Sequence, residues 1–275
     1  MAVNCESLST LQVFRRYVTD FVNRHDFSVL PAIMAETYQL DTGGHVIVGR
    51  DGNYRDAVAR QLKQFPGLVF TPHELFHVGD RLAIRFTEHG TSLRHEGRAA
   101  AWTNIAIYGV SGGRLARCAI EQDYFARRQQ LLSGVASLVD HPHIAPWDVA
   151  PSKNNAHAEK IVRDWLTSAT FQTGGIVNVD GMRVEIPRII RGGEVEVLEM
   201  LAGDDQVAFH AVHRGPLAGD FPTDQTTEPG ASAFIHMSGL VRLRGREICG
   251  GNIIRDRWGL YRRLGAIQQR RELEA

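Results

Sequence analysis

Residues His73-Glu74-Leu75-Phe76-His77 spell H-E-x-x-H, which on a helix sets two imidazoles on one face to hold zinc with a glutamate as base. The surrounding residues favour a strand. Leu82, Ile84 and Phe86 alternate with Arg81, Ala83, Arg85 and Thr87, and Gly79-Asp80 before them is a turn dipeptide. A helix opening at Thr71-Pro72 would gain a capping box with Glu74 but must stop by Gly79 after about two turns. No third ligand follows, so no metal is expected. As a strand, Leu68, Phe70, Pro72, Glu74, Phe76 and Val78 share one face. Glu74 is then a carboxylate among apolar neighbours, a setting that raises its pKa and lets it hold or accept a proton near neutral pH. A bulge at Pro72, turning Glu74 outward, is the alternative.

Other side chains could do related work. Asp41 precedes the chain break Thr42-Gly43-Gly44, where a turn role competes with a catalytic one. Asp123 ends a strand, and either acts as an acid/base or caps the helix from Phe125 to Leu132. Tyr17 lies beside a helical apolar stripe, so its hydroxyl reaches either a cavity or a core rim. His89, His95, His210 and His213 read as surface or sheet residues.

The elements that must hold these groups follow from periodicity. Leu11, Phe14, Val18, Phe21 and Val22 form a helix stripe with Thr10 as cap. A shorter helix covers Asp26 to Met34, and a third runs from about Asn53 to Phe65. Strands span Ala100 to Val110 and Leu115 to Tyr124, joined by the hairpin signal Ser111-Gly112-Gly113. On the second strand Leu115, Arg117, Ala119, Glu121 and Asp123 share one side, while Cys118, Ile120 and Tyr124 point the other way. Helices first and an antiparallel run afterwards give an α+β fold.

Residues 141–155 carry three prolines and no periodicity, the mark of an extended linker. Beyond it the plan repeats. Ile161, Trp165 and Leu166 form a helix stripe, Thr173-Gly174-Gly175 matches Thr42-Gly43-Gly44, and Ala202-Gly203-Asp204 matches Val78-Gly79-Asp80. Trp102 to Tyr124 aligns with His236 to Trp258, setting Asp123 opposite Asp256. Three units are expected: a first domain over 1–136, a Pro-rich linker over 137–155, and a shorter second domain over 156–275.

Composition excludes several classes. The 31 basic and 31 acidic residues cancel, so no global field draws nucleic acid or an anionic membrane, and small molecules or proteins are the expected partners. Cys5, Cys118 and Cys249 are odd in number and widely spaced, which fits a reducing cytoplasm rather than a disulfide framework. No apolar run reaches the ~18 residues of a membrane span, and the N-terminus lacks signal-peptide character.

FPGLVFTPHELFHVGDRLAIRFTEHGT, followed by GRLARCAIEQDYFARRQQL, resembles the SnoaL-like polyketide cyclases. Their pattern is Phe-Pro and a strand, a Gly-Asp turn, a strand ending in Gly-Thr, and a last strand leading to an acid and Gln-Leu. The resemblance covers nearly all of the first half and is weak in the second. It implies two tandem cone-shaped α+β barrels of the nuclear transport factor 2-like type, each a curved antiparallel sheet wrapped by helices around a pocket. The tandem form is similar to the epoxide-opening cyclases of polyether biosynthesis, which implies Asp41 as base and Glu74 as acid, assisted by Tyr17. Asp180 and Glu199 are the nearest counterparts in the second half.

The implied reaction is epoxide opening by an internal hydroxyl, without cofactor, on a polyketide-type small molecule; two carboxyls with separated pKa values suffice for it. Single-module aldol cyclases imply instead Asp123 as base, with Asp256 its counterpart and His73 or Tyr17 as enolate-stabilising donor. Trp102, His73 and Phe86 are the expected substrate-contacting residues. A monomer or homodimer with an internal pseudo-dimer is expected. The same fold also serves as a non-catalytic binding or dimerisation module.

Overall fold

The computed structural model describes residues 8–168, 170–173, 175–219, 221 and 229–274, without the side chains of 170, 173 and 267–274. Cys5 and Gly174 lie outside the described residues. The chain opens with α1, Thr10–Arg16, whose N-cap is Ser9 rather than Thr10, in a capping box with Gln12. Tyr17–Val22 continues the same helix with wider turns. The short α2, Leu30–Ile33, and α3, Arg55–Gln64, complete a helical cover.

Under this cover lies a six-stranded sheet. Its strands are β1 Met34–Thr42, β2 His45–Val48, β3 Val69–Val78, β4 Arg81–Ser92, β5 Arg98–Ser111 and β6 Arg114–Gln122, in spatial order β2-β1-β6-β5-β4-β3. All pairs are antiparallel except β1 with β6. H-E-x-x-H is thus on a strand. α4, Tyr124–Ser133, follows β6.

The second half begins with α5, Ala156–Thr167, and builds a five-stranded sheet from β7 Asn178–Val179, β8 Glu194–Gly203, β9 Gln206–Pro216, β10 Ser232–Arg244 and β11 Glu247–Arg255. The order β7-β11-β10-β9-β8 repeats that of the first sheet without its outermost strand, down to the parallel pairing of the first strand with the last. α6, Arg257–Glu274, closes the chain. Among the described residues no helix is long and apolar enough to cross a membrane.

Each sheet has two buried faces. One face of the first packs Leu75, Leu82, Ile84, Phe86, Tyr108 and Cys118 under the helices. Its other face presents Phe76, Ala83, Ile105 and Ile107 to Leu201, Ala208, Leu240 and Ile254 of the second sheet. Burying a large apolar side chain is worth about 1.5–3 kcal/mol, so this layer binds the halves firmly.

Two bulges set what faces where. β3 pairs Pro72 with Phe86 but Glu74 with Arg85, leaving His73 as the extra residue. Proline cannot donate to the ladder, and the strand buckles there. The face expected to hold Leu68, Phe70, Pro72, Glu74, Phe76 and Val78 is therefore broken: Phe70 and Leu75 point under the helices, while Phe76 meets the second sheet. A second shift, between Gly109 and Val110, sends Leu115 inward beside Cys118 and Ile120, away from the outer face where it was expected.

Candidate active site

The cone interior of the first half is lined by phenols. Tyr17, Tyr38, Tyr54 and Tyr108 are all buried, and burial raises the pKa of each, keeping them neutral. The hydroxyls of Tyr17 and Tyr54 share a hydrogen bond of 2.9 Å. One proton of that pair serves the bond and the other stays free to donate.

One carboxylate lies in the same interior. On β4, Leu82, Ile84 and Phe86 point under the helices and Glu88 follows them in phase, paired across the ladder with the inward Phe70. Glu88 is only 8% exposed. Its Oε2 accepts from Gln61 Nε2 at 3.1 Å, Trp102 Nε1 at 2.9 Å and Gln122 Nε2 at 3.1 Å, while Oε1 accepts nothing among the described residues. Burial raises its pKa; the three donors and the nearby Arg127, which stacks over the Trp102 ring, offset this in part. The charge of Glu88 contributes in turn to raising Tyr17 and Tyr54. Gln61, Gln122 and Tyr124 are half-buried, so this end of the interior is the one nearest solvent.

The residues expected from sequence are distributed differently. Tyr17 is in the cone, as are Trp102, which orients Glu88, and Phe86, stacked on Phe70 at 3.8 Å. Glu74 faces the second sheet, bound to Arg85 Nε at 2.8 Å and to Asn252 Nδ2 at 3.4 Å. Asp41 is on β1, four strands from β3, or about 19 Å at the usual spacing. The structure does not bring Asp41 and Glu74 together, and neither shares the cone with Tyr17. His73 bonds Thr87 Oγ1 at 2.7 Å and the His141 carbonyl at 2.9 Å, and His77 meets the Val149 carbonyl. Strand geometry keeps the two imidazoles from one ion.

Asp123 is the N-cap of α4, accepting from Ala126 N–H, and both its oxygens accept from Arg257 Nη2 of the second half at 2.6 and 2.7 Å. Burial pushes its pKa up, with Arg257 pulling against that. Asp256 likewise accepts from Gly259 N–H at the start of α6. Asp180 is buried against Arg255 and Arg257. Glu199 binds Arg81 at 2.6 Å and also Arg117, both from the first sheet.

Asp123 and Asp180 line one cavity of about 260 Å³ between the halves, with Arg85, Thr87, Asp140 and Asn252. The ionised groups on its wall are held in pairs. The interior of the second cone is built on Val162, Leu166, Val207, Phe209 and Met237, with the buried His213 packed on Phe171 and bonded to the Gly192 carbonyl.

Residues 14–118 match the family profile of the SnoaL-like domain. The first half of the chain carries a SnoaL-like domain. Solved structures similar to the chain include a SnoaL-like polyketide cyclase from Agrobacterium tumefaciens, at 22% identity and a TM-score of 0.39, covering 45% of this chain and 98% of its own. Wild-type IdmH from Streptomyces antibioticus is 19% identical with a TM-score of 0.40, over 44% of this chain and 97% of its own. TsrD from Streptomyces laurentii is 21% identical with a TM-score of 0.40, over 47% and 97%. No curated protein sequence matches the chain.

Glu88 escaped the sequence reading although the signal was present. The β4 alternation that singles out Leu82, Ile84 and Phe86 reaches Glu88 at its next step, and a carboxylate in apolar phase is the feature sought at Glu74.

Proposed function

We propose that the protein is a cofactor-independent cyclase of polyketide-type small molecules, with the SnoaL-like cone as its site and Glu88 as its general base. The observation that carries this reading is the buried Glu88 carboxylate, fixed through Oε2 by three neutral donors, with no hydrogen bond to Oε1 among the described residues, and close enough for its charge to act on the Tyr17–Tyr54 hydroxyl pair.

One carboxylate with phenolic donors suits an intramolecular aldol closure. Glu88 Oε1 takes a proton from the carbon between two carbonyls, and the C–H electron pair becomes an enolate. The free proton of the tyrosine pair is the donor that meets the enolate oxygen. The enolate carbon attacks a second carbonyl of the same chain, forming the C–C bond, and the proton returns from Glu88 to the new alkoxide. Burial raises the Glu88 pKa, which strengthens it as a base.

Epoxide opening by an internal hydroxyl asks for two carboxyls, and among the described residues the cone interior holds one. Asp41 and Glu74 on the outer face favour the aldol reading. With a face fitted to the first sheet, the second half acts as a cover that completes an internal pseudo-dimer.

The test is turnover of a poly-β-ketone chain capable of aldol closure, followed by product mass and absorbance. Glu88→Gln, folded by circular dichroism, loses the ring-closed product. Wild-type turnover by that variant would falsify the assignment.

A further inference from the structure

Three side chains that the acid/base reading leaves unused meet between the two sheets. Glu121 on the outer face of β6 is 1% exposed, His210 on β9 is 1% exposed and His236 on β10 is 7% exposed. One ligand atom from each lies within 4.8 Å of the other two. His210 Nε2 is 3.0 Å from Glu121 Oε1, and the two imidazole centroids are 5.9 Å apart.

Further atoms point to a missing occupant. His236 Nδ1 is fully buried with no hydrogen-bond partner, and so is Asp41 Oδ1, whose charge acts on His210. Leaving such atoms unpaired costs about 1–3 kcal/mol each. The Thr42-Gly43-Gly44 turn closes over the group. Gly43 N–H donates to Glu121 Oε1 at 2.9 Å, and a Cβ on Gly44 would sit 2.6 Å from His236 Nε2.

We infer that Glu121, His210 and His236 form a binding site for one divalent first-row transition cation, clamped between the two sheets. Two imidazole nitrogens and one carboxylate oxygen are the donor set such ions take, with a further position left to water or another group. Metal-to-ligand distances of about 2.0–2.2 Å put tetrahedral ligand atoms about 3.4 Å apart, so the His210–Glu121 pair at 3.0 Å opens slightly while His236 closes in from within 4.8 Å. The cation replaces the proton now shared by His210 and Glu121. Gly43 N–H orients the carboxylate from outside the coordination shell. The site lies on the opposite face of the first sheet from Glu88 and stands independently of the cyclase reading.

The experiment uses the full chain, stripped by chelator and dialysed against Zn2+ or Co2+, with bound metal measured by plasma mass spectrometry. One equivalent per chain is expected, with visible d–d bands from Co2+ and a higher melting temperature in Zn2+. Glu121→Gln and His236→Gln lower the affinity at least about 100-fold, while His73→Gln on the H-E-x-x-H strand leaves it unchanged. Wild-type affinity in His236→Gln, or loss in His73→Gln alone, overturns the site. Should either site variant fail to fold, the wild type decides: absence of Co2+ bands and of any Zn2+-dependent rise in melting temperature rejects the proposal.

Discussion

Glu88 carries an energetic cost that a purely structural residue would not need. Its raised pKa means that the folded chain binds the proton more tightly than the unfolded one. Its contribution to stability is therefore full below the unfolded carboxylate range and is lost as pH rises through the raised value. Glu88→Gln keeps the shape and removes the charge. We expect turnover to fall by about 10²–10⁴ with stability at neutral pH equal to or above wild type. Urea melts across pH check this: the difference should favour the variant increasingly as pH climbs, and a variant that is less stable at high pH contradicts it. Tyr17→Phe removes one hydroxyl of the 2.9 Å pair. Because Tyr54 remains, its kcat should fall by less than the ~10²–10³ of a sole oxyanion donor, and a change confined to KM would argue against the donor role. At this scale the sequence shows the type of site better than its members. An interior acid and a helix tyrosine are legible, but β-strand parity past a proline is not: one extra residue at His73 turns Glu74 outward, while Glu88 points inward by the uninterrupted alternation of β4.

Turns and bulges decide the chemistry at the level of elements. The Gly43-Gly44 pair reads from sequence as a chain break, which it is: both residues have positive φ, +58° and +75°. What lies beneath it is not written locally, since His236 on β10 and Asp256 just past β11 arrive from the far end of the second half. Gly44→Ala combines a left-handed backbone with a Cβ 2.6 Å from His236 Nε2. We expect a loss of about 1–3 kcal/mol in equilibrium unfolding, together with weaker Zn2+ binding, whereas Gly112→Ala, whose Cβ would meet nothing within 4 Å, should show the backbone cost alone. Equal losses in the two variants, with metal affinity unchanged, would separate the turn from the cation site. Periodicity located the helices and the long strands because their apolar faces are continuous. It misplaced Leu115 because Gly109 pairs with Arg117 and Val110 with Leu115, so Ala116 is an extra residue that shifts the β6 register with no proline or glycine beside it on that strand.

At the level of the whole molecule, the repeat of strand order and the alignment of Asp123 with Asp256 describe two like halves set back to back. Each acid caps the helix after its sheet, and the Asp123 backbone N–H bonds Thr103 much as that of Asp256 bonds His236. Sequence suggested the duplication, yet it could not reveal that Asp123 becomes a fastener, because its partner Arg257 belongs to the other half. Asp123 takes both oxygens to Arg257, and Arg257 also reaches Asp180 at 3.4 Å. Such a pair is costly to bury and costlier to break, since removing one member strands the other in a dry interface. We therefore expect Asp123→Ala and Arg257→Ala each to lose about 3–5 kcal/mol, Asp123→Ala with a further ~1 kcal/mol from the lost α4 cap. The double variant should lose clearly less than the sum, because neither charge is then left alone. Chemical denaturation of the four proteins measures the coupling. Additivity within ~0.5 kcal/mol would mean that the two groups do not sense each other, and the apolar layer of Phe76, Ile105, Leu201 and Leu240 with the Glu199 pairs to Arg81 and Arg117 would then hold the halves together without them.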